Sequence, residues 1–371
     1  MSCDTDTAVF MIYESSEHIH IRIKRKMVLN MTKGDIYIKD TVVHILDSSV
    51  GMPVLSDSLL QFGSDFADFL KEHIFRVMTS DDIKKCEFIK EESDVYEKLS
   101  KAIEGEYDFL IFSRFVAEKL YEILSANIEI PAADLVVACF EINQIPHMAL
   151  LKMNYKESYM HQTMPAEEGN VNSIIKYRAI LPGETQKLSE AAIIRLDDFT
   201  IKLIEKKYDI NGKKENYFSK IFLNCTTHLS QKAKLSIIEK AVESVQKEFL
   251  NESEQFEEKM KAKSVIHKEL EEQGEISIPE VASKVFEAKA DLREKFKEKI
   301  EKYNIKEDET IKPVNENTKK KFGKQQLMTD TGIEIKIPME QYNSTDSIEF
   351  ITNEDGTISV LIKNIGKITS K

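Results

Sequence analysis

A chain of 371 residues of which 42% are hydrophobic is long enough for two or three domains and a sizeable core. Its 31% charged residues come with no apolar run near the ~18 residues a membrane span needs, and a net charge of −12 argues against a protein that coats a polyanion over its whole surface. Cys3, Cys86, Cys139 and Cys225 stand far apart with no CxxC pair, a spacing that suggests neither a disulfide framework nor a thiolate zinc site.

Residues 1–35 read apart from the rest. The basic RIKRK follows an apolar stretch, the reverse of a secretory signal, and no small-residue cleavage site is present. Met27 and Met31 are both available starts, so this stretch is either a disordered leader or a start placed too early. His18 and His20 lack further ligands nearby, and no metal site is expected there.

IYIKDTVVHILD (36–47) is β-branched and bounded by turn residues, which predicts a strand. Ser56 is expected to cap a short helix, and Phe62, Phe66, Phe69, Leu70, His73 and Phe75 recur at the helical spacing of a second one. Two more helices follow, one ending at Gly105 and one closed by Pro131 with Leu110, Phe115, Leu120 and Leu124 on its buried side. Leu135–Ile142 and Met148–Met153, linked by Asn-Gln-Ile-Pro, predict a hairpin that is apolar on both faces and therefore covered on two sides. Cys139 falls in the first of these runs as a small core residue.

Strands at 173–181, 190–196 and 199–206 are expected to extend that sheet. In the first, Ser173, Ile175, Tyr177 and Ala179 share one face while Ile174, Lys176, Arg178 and Ile180 share the other. Asn211-Gly212 is a tight-turn signal. From Leu229 the period becomes helical, with Leu235, Ile238, Val242, Val245 and Phe249 stepping by three and four. Ser277 and Glu280 form a capping box around Pro279. Residues 312–324 read as a basic loop ending in KKKFGK, and the chain closes on two or three strands with a turn at Glu354-Asp355-Gly356. The whole predicts an α+β fold: a helix-covered antiparallel sheet (36–228), a helical segment (229–310), then a basic loop and small C-terminal β unit (311–371).

IYIKDTVVHIL, IPAADLVVACFE with LLKMNYKESY, IIKYRAILPGETQKLSEAAIIRL, KKKFGKQ and TDTGIEIKIP, in that order and spacing, resemble the NdpA-type nucleoid-associated protein family of bacteria over about Ile36 to Ile368. The resemblance implies a cytoplasmic protein of the nucleoid that binds double-stranded DNA without established enzymatic activity or cofactor, with nucleoid or DNA-processing proteins as further partners. It supplies no contact residues, so these must come from charge.

Charge is segregated: Lys176–Lys220 holds ten basic against seven acidic residues, Gln246–Glu309 thirteen against eighteen. Lys319, Lys320, Lys321 and Lys324 form the densest cationic cluster after the leader, and Lys176, Arg178 and Lys187 a second candidate patch for phosphate contact. The competing readings are a solvated lysine loop for the first and the polar side of a half-exposed strand for the second. Phe322, amid the lysines, suits either base stacking or a core. The enzymatic rival is a divalent-metal nuclease built on Asp330 and Glu334-Ile335-Lys336, although alternating charge is also what an exposed strand shows. An adaptor recruited to the nucleoid through a protein partner is the third reading. No phosphate-binding loop, dinucleotide fingerprint, zinc-protease or serine-hydrolase motif occurs, and His44, His147, His161, His228 and His267 stand isolated as structural histidines.

Overall fold

Ile, Val and Thr crowd residues 36–46, and in the computed structural model this stretch is β1 (Ile36–Leu46), an outer strand of a seven-stranded sheet. The structure describes residues 31–369 except 168, 251 and 288 and the side chains of 252–257. The alternative start at Met27, and His18 and His20, lie outside the described residues. Residues 33–371 form one unit. After β1 come α1 (Ser64–Met78), β2 (Lys84–Phe88), α2 (Asp94–Ile103), α3 (Phe109–Ala126), β3 (Ala133–Ile142) and β4 (Ile145–Asn154). Then follow β5 (Lys156–Ala166), β6 (Gly169–Ile180), β7 (Glu190–Arg195), β8 (Ile201–Ile204), β9 (Tyr208–Ile210), β10 (Lys213–Glu215) and β11 (Cys225–Thr227).

The sheet runs β1-β3-β4-β7-β8-β2-β11 with every neighbour antiparallel. Its two apolar faces are both covered, as their sequence requires. On one, α2 and α3 contribute Leu99, Phe112, Val116 and Leu120 to a core shared with Val137, Leu150, Ala192 and Leu203. On the other, α1 packs over β1, β7 and β8 and buries Leu70, Ile74 and Val77, each contributing roughly 1.5–3 kcal/mol by burial. The β3–β4 turn is tighter than expected. Asn143 and Gln144 alone make it, at φ 51° and 64°, so Ile142 faces Ile145 directly.

Two expectations fail here. Ser56 caps no helix: its hydroxyl donates to Val43 O (2.6 Å) and its amide to His44 Nδ1 (3.2 Å), strapping the following segment along β1. Strand 173–181 does not join the sheet. It is part of β6, which among the described residues pairs only with β5, in a two-stranded arm of about 11 residues a side, roughly 35 Å long at ~3.3 Å per residue. Every residue of β5 is exposed, as is all of β6 but the half-buried Ser173 and Ile175.

Beyond the sheet lie α4 (Gln231–Phe249), α5 (Glu252–Gln273), β12 (Ile276–Ser277), α6 (Ile278–Val285), α7 (Ala290–Glu301) and β13 (Thr310–Ile311). Leu235, Ile238, Val242, Val245, Ile278, Phe296 and Ile311 build a second core, from which Phe249 is left out at 44% exposure. Ser277 Oγ accepts the Glu280 amide (3.4 Å), the predicted cap of α6. The chain ends with α8 (Glu316–Phe322), β14 (Lys324–Met328), β15 (Glu334–Pro338), α9 (Met339–Tyr342), β16 (Ile348–Thr352) and β17 (Ile358–Ile362). Residues 316–322 are therefore helix, not loop. The last two strands form the expected hairpin, with Gly356 at φ 81° in its turn.

Candidate nucleic-acid interface

Asn315 starts α8: its side-chain oxygen accepts the Asn317 amide (2.9 Å), Glu316 occupies the first turn, and Lys319, Lys320 and Lys321 the last, where cations suit the helix dipole. Asp81, just before β2, accepts the backbone amides of Val314 (2.7 Å) and Asn315 (3.0 Å) and so docks the helix start against the sheet domain. Phe322 is 1% exposed within the second core. It fills that core and is not free to stack on a base. Phe322→Ala is expected to lower unfolding free energy by about 3–5 kcal/mol, whereas Lys320→Ala should shift it by under about 0.5, in urea titrations of each variant.

The lysines of this helix, and Lys324 just beyond it at the start of β14, differ in company. Lys319 pairs with Glu316 (3.0 Å) and Lys321 with Glu239 (2.8 Å). Lys320 and Lys324 are exposed and have no ion pair among the described residues. The second patch is divided too. Lys176 pairs with Glu157 across the arm, which holds the Glu157 carboxyl below its ordinary value, and Arg178 is exposed without an ion pair among the described residues. Lys187 pairs with Asp82, which also accepts Lys232 (3.2 Å). Burial raises the Asp82 carboxyl, yet the bonds from Lys187 and Lys232 hold it below the usual range.

Because Asp81 and Asp82 are adjacent, they bring Lys187, Lys232 and the start of α8 to one place. Lys176 and Arg178 belong instead to the arm. There the register puts Ser158, Met160, Gln162 and Met164 on one face with Tyr177, Ile175, Ser173 and Val171, a face without charge; Lys176 and Arg178 lie on the other. Neither aspartate was singled out from the sequence. The only trace there was an acidic pair one residue before a strand too short to notice.

The nuclease candidates occupy the β14–β15 hairpin. Asp330 sits in its turn with one oxygen accepting the Thr331 amide (3.0 Å), and Lys336 Nζ neutralises Glu334 at 3.1 Å. All three are exposed. Among the described residues no group of three or more His, Cys, Asp or Glu is disposed to hold a metal ion. Nor is any helix among them long and apolar enough to cross a membrane.

Residues 42–368 match the family described as nucleoid-associated protein YejK. Comparison with curated proteins gave no match.

Proposed function

Since the chain belongs to the YejK family of nucleoid-associated proteins, we propose that it binds double-stranded DNA in the bacterial cytoplasm through phosphate contacts, with little reading of sequence and no cleavage. The observation that supports this reading is that three cations of the two candidate patches, Lys320, Lys324 and Arg178, are exposed and form no ion pair among the described residues. The four paired cations are a reserve. Exposed ion pairs are worth only about 0–1 kcal/mol, so Lys176, Lys187, Lys319 and Lys321 can exchange a carboxylate for a phosphate at small cost.

This arrangement predicts a modest salt dependence. With three cations engaged, log K against log salt falls with a slope of about −3, steepening toward about −6 if all seven are recruited. Fluorescence anisotropy of a labelled duplex across a salt series, with and without magnesium, reads the slope and any strand cleavage together. Replacing Lys320, Lys324 and Arg178 by Ala should flatten the slope by about 3. An unchanged slope removes these residues from the interface. Cleavage lost in Glu334→Ala would replace the reading with the nuclease, and absence of binding at low salt would leave recruitment through a protein partner.

A further inference from the structure

At the end of β4 away from the arm, around the β3–β4 turn, a recess of about 230 Å³ has an apolar wall of Met78 and three isoleucines and a polar one with Asn143, His147, Arg195, Thr200 and Lys202. Strand register explains its charge. His147 stands opposite Arg195, and Lys202 opposite Lys85, so an imidazole, a guanidinium and two ammonium groups share one face of the sheet.

Their partners are incomplete. Arg195 gives Nη2 to Asp197 (2.6 Å) and Nη1 to Asp198 (3.6 Å), but its Nε is buried without an acceptor among the described residues. Lys202 is half-buried with no carboxylate partner among the described residues. Burial, then the neighbouring Lys85 and Arg195, push its ammonium below the ordinary lysine range. His147 Nδ1 donates to Ile145 O (2.8 Å), and burial keeps the ring neutral, so it adds no charge. A buried donor left unmet costs ~1–3 kcal/mol, and a desolvated cation flanked by cations adds to that. One negative group reaching into the recess would answer both deficits.

We propose that this recess is an oxyanion site for a phosphate group, held by Lys202 and Arg195, with the exposed Lys85 beside Lys202 on the neighbouring strand. Three cationic groups from β2, β7 and β8 favour a phosphate, whose greater charge and additional acceptor oxygen match them better than a carboxylate does. The group is either a free phosphate or phosphomonoester, or a phosphate of the DNA backbone. The recess is distinct from the arm and α8, so it stands or falls apart from the DNA interface proposed above.

The experiment is titration calorimetry with inorganic phosphate at fixed ionic strength, on the full chain and on Lys202→Met and Lys85→Ala. Lys202→Met should weaken binding about tenfold or more and Lys85→Ala about threefold, the difference reflecting a desolvated against an exposed cation. Lys85 is exposed, so its variant tests the site even if Lys202→Met fails to fold. Saturable binding that both variants lose in that order supports the site. Absence of phosphate binding, or affinity equal in all three proteins, overturns it. With the site supported, a duplex lacking terminal phosphates distinguishes the sources: displacement by inorganic phosphate assigns the backbone, and unchanged duplex affinity in Lys85→Ala assigns a free anion.

Discussion

Glu190→Leu is expected to lower the unfolding free energy by about 3–5 kcal/mol, because it strands a fully buried ammonium. Lys152 and Glu190 face each other across β4 and β7, both wholly buried, with Nζ 3.4 Å from Oε2. Nζ also donates to Pro131 O (3.1 Å) and to Asn154 Oδ1. Burial pushes the lysine below its ordinary range even with Glu190 opposing that shift. Pairs of this kind exceed little of their own desolvation cost, so Lys152→Met combined with Glu190→Leu should recover half or more of the single variant's loss. Urea unfolding of the three proteins decides it. If the double variant is as unstable as the single one, the two groups are not coupled. Since β4 ends at Asn154 and the arm begins at Lys156, amide exchange in Glu190→Leu should rise first at the base of the arm.

That pair shows where sequence reading stops. Lys152 interrupts the apolar LLKMNY of a strand expected to be covered on both faces, but its partner is 38 residues away and only strand order brings them together. Local signals fared better. The apolar runs on either side of Asn143-Gln144, the Asn211-Gly212 turn and the Ser277 cap were legible because each is fixed within a few residues. β2 was not. Lys84-Lys85-Cys86-Glu87-Phe88 has a single aromatic, and it is a strand because β8 and β11 flank it. Alternation in 173–180 revealed a strand and its two faces but not its neighbour, which is why the arm was assigned to the sheet.

The candidate interface divides the same way. Lysines are visible in a sequence; their partners are visible only at short range. Glu316 sits one helical turn from Lys319, a spacing that was there to be read, whereas Glu239 is 82 residues from Lys321 and Asp82 is 105 from Lys187. Phe322 fits a core or a base equally in the sequence, and its burial among the residues of the second core decides for the core.

Acid should destabilise this protein well above the pH at which its carboxylates titrate. His44 is fully buried between β1 and α3: Nδ1 accepts the Ser56 amide (3.2 Å), and Nε2–H donates to Ser113 Oγ (3.1 Å), whose own hydrogen goes to Leu110 O (2.8 Å). A second ring proton has nowhere to point. Burial, helped by Arg114, pulls its pKa from 6.5 down to about 4. The unfolded chain takes up a proton below pH 6.5 that the folded chain refuses until about 4, so stability is full above 6.5 and is lost as pH falls through that window. At ~1.4 kcal/mol per pH unit this amounts to about 2 kcal/mol between pH 6.5 and 5. Burial lowers His73 and His147 as well, which adds to the loss with the same sign. The depressed carboxyls of Glu72, Asp82 and Glu309 act below that range, because their stabilisation is present above the ordinary carboxylate pKa and fades only as pH falls beneath it. Urea midpoints at pH 7.5, 6.5 and 5.0 therefore isolate the histidines. His44→Gln should be less stable than the parent at pH 7.5 yet lose about 1 kcal/mol per pH unit less between 6.5 and 5. A variant that follows the parent's slope would mean that His44 is protonated in the folded protein, and that the hydrogen-bond assignment at Nδ1 is wrong.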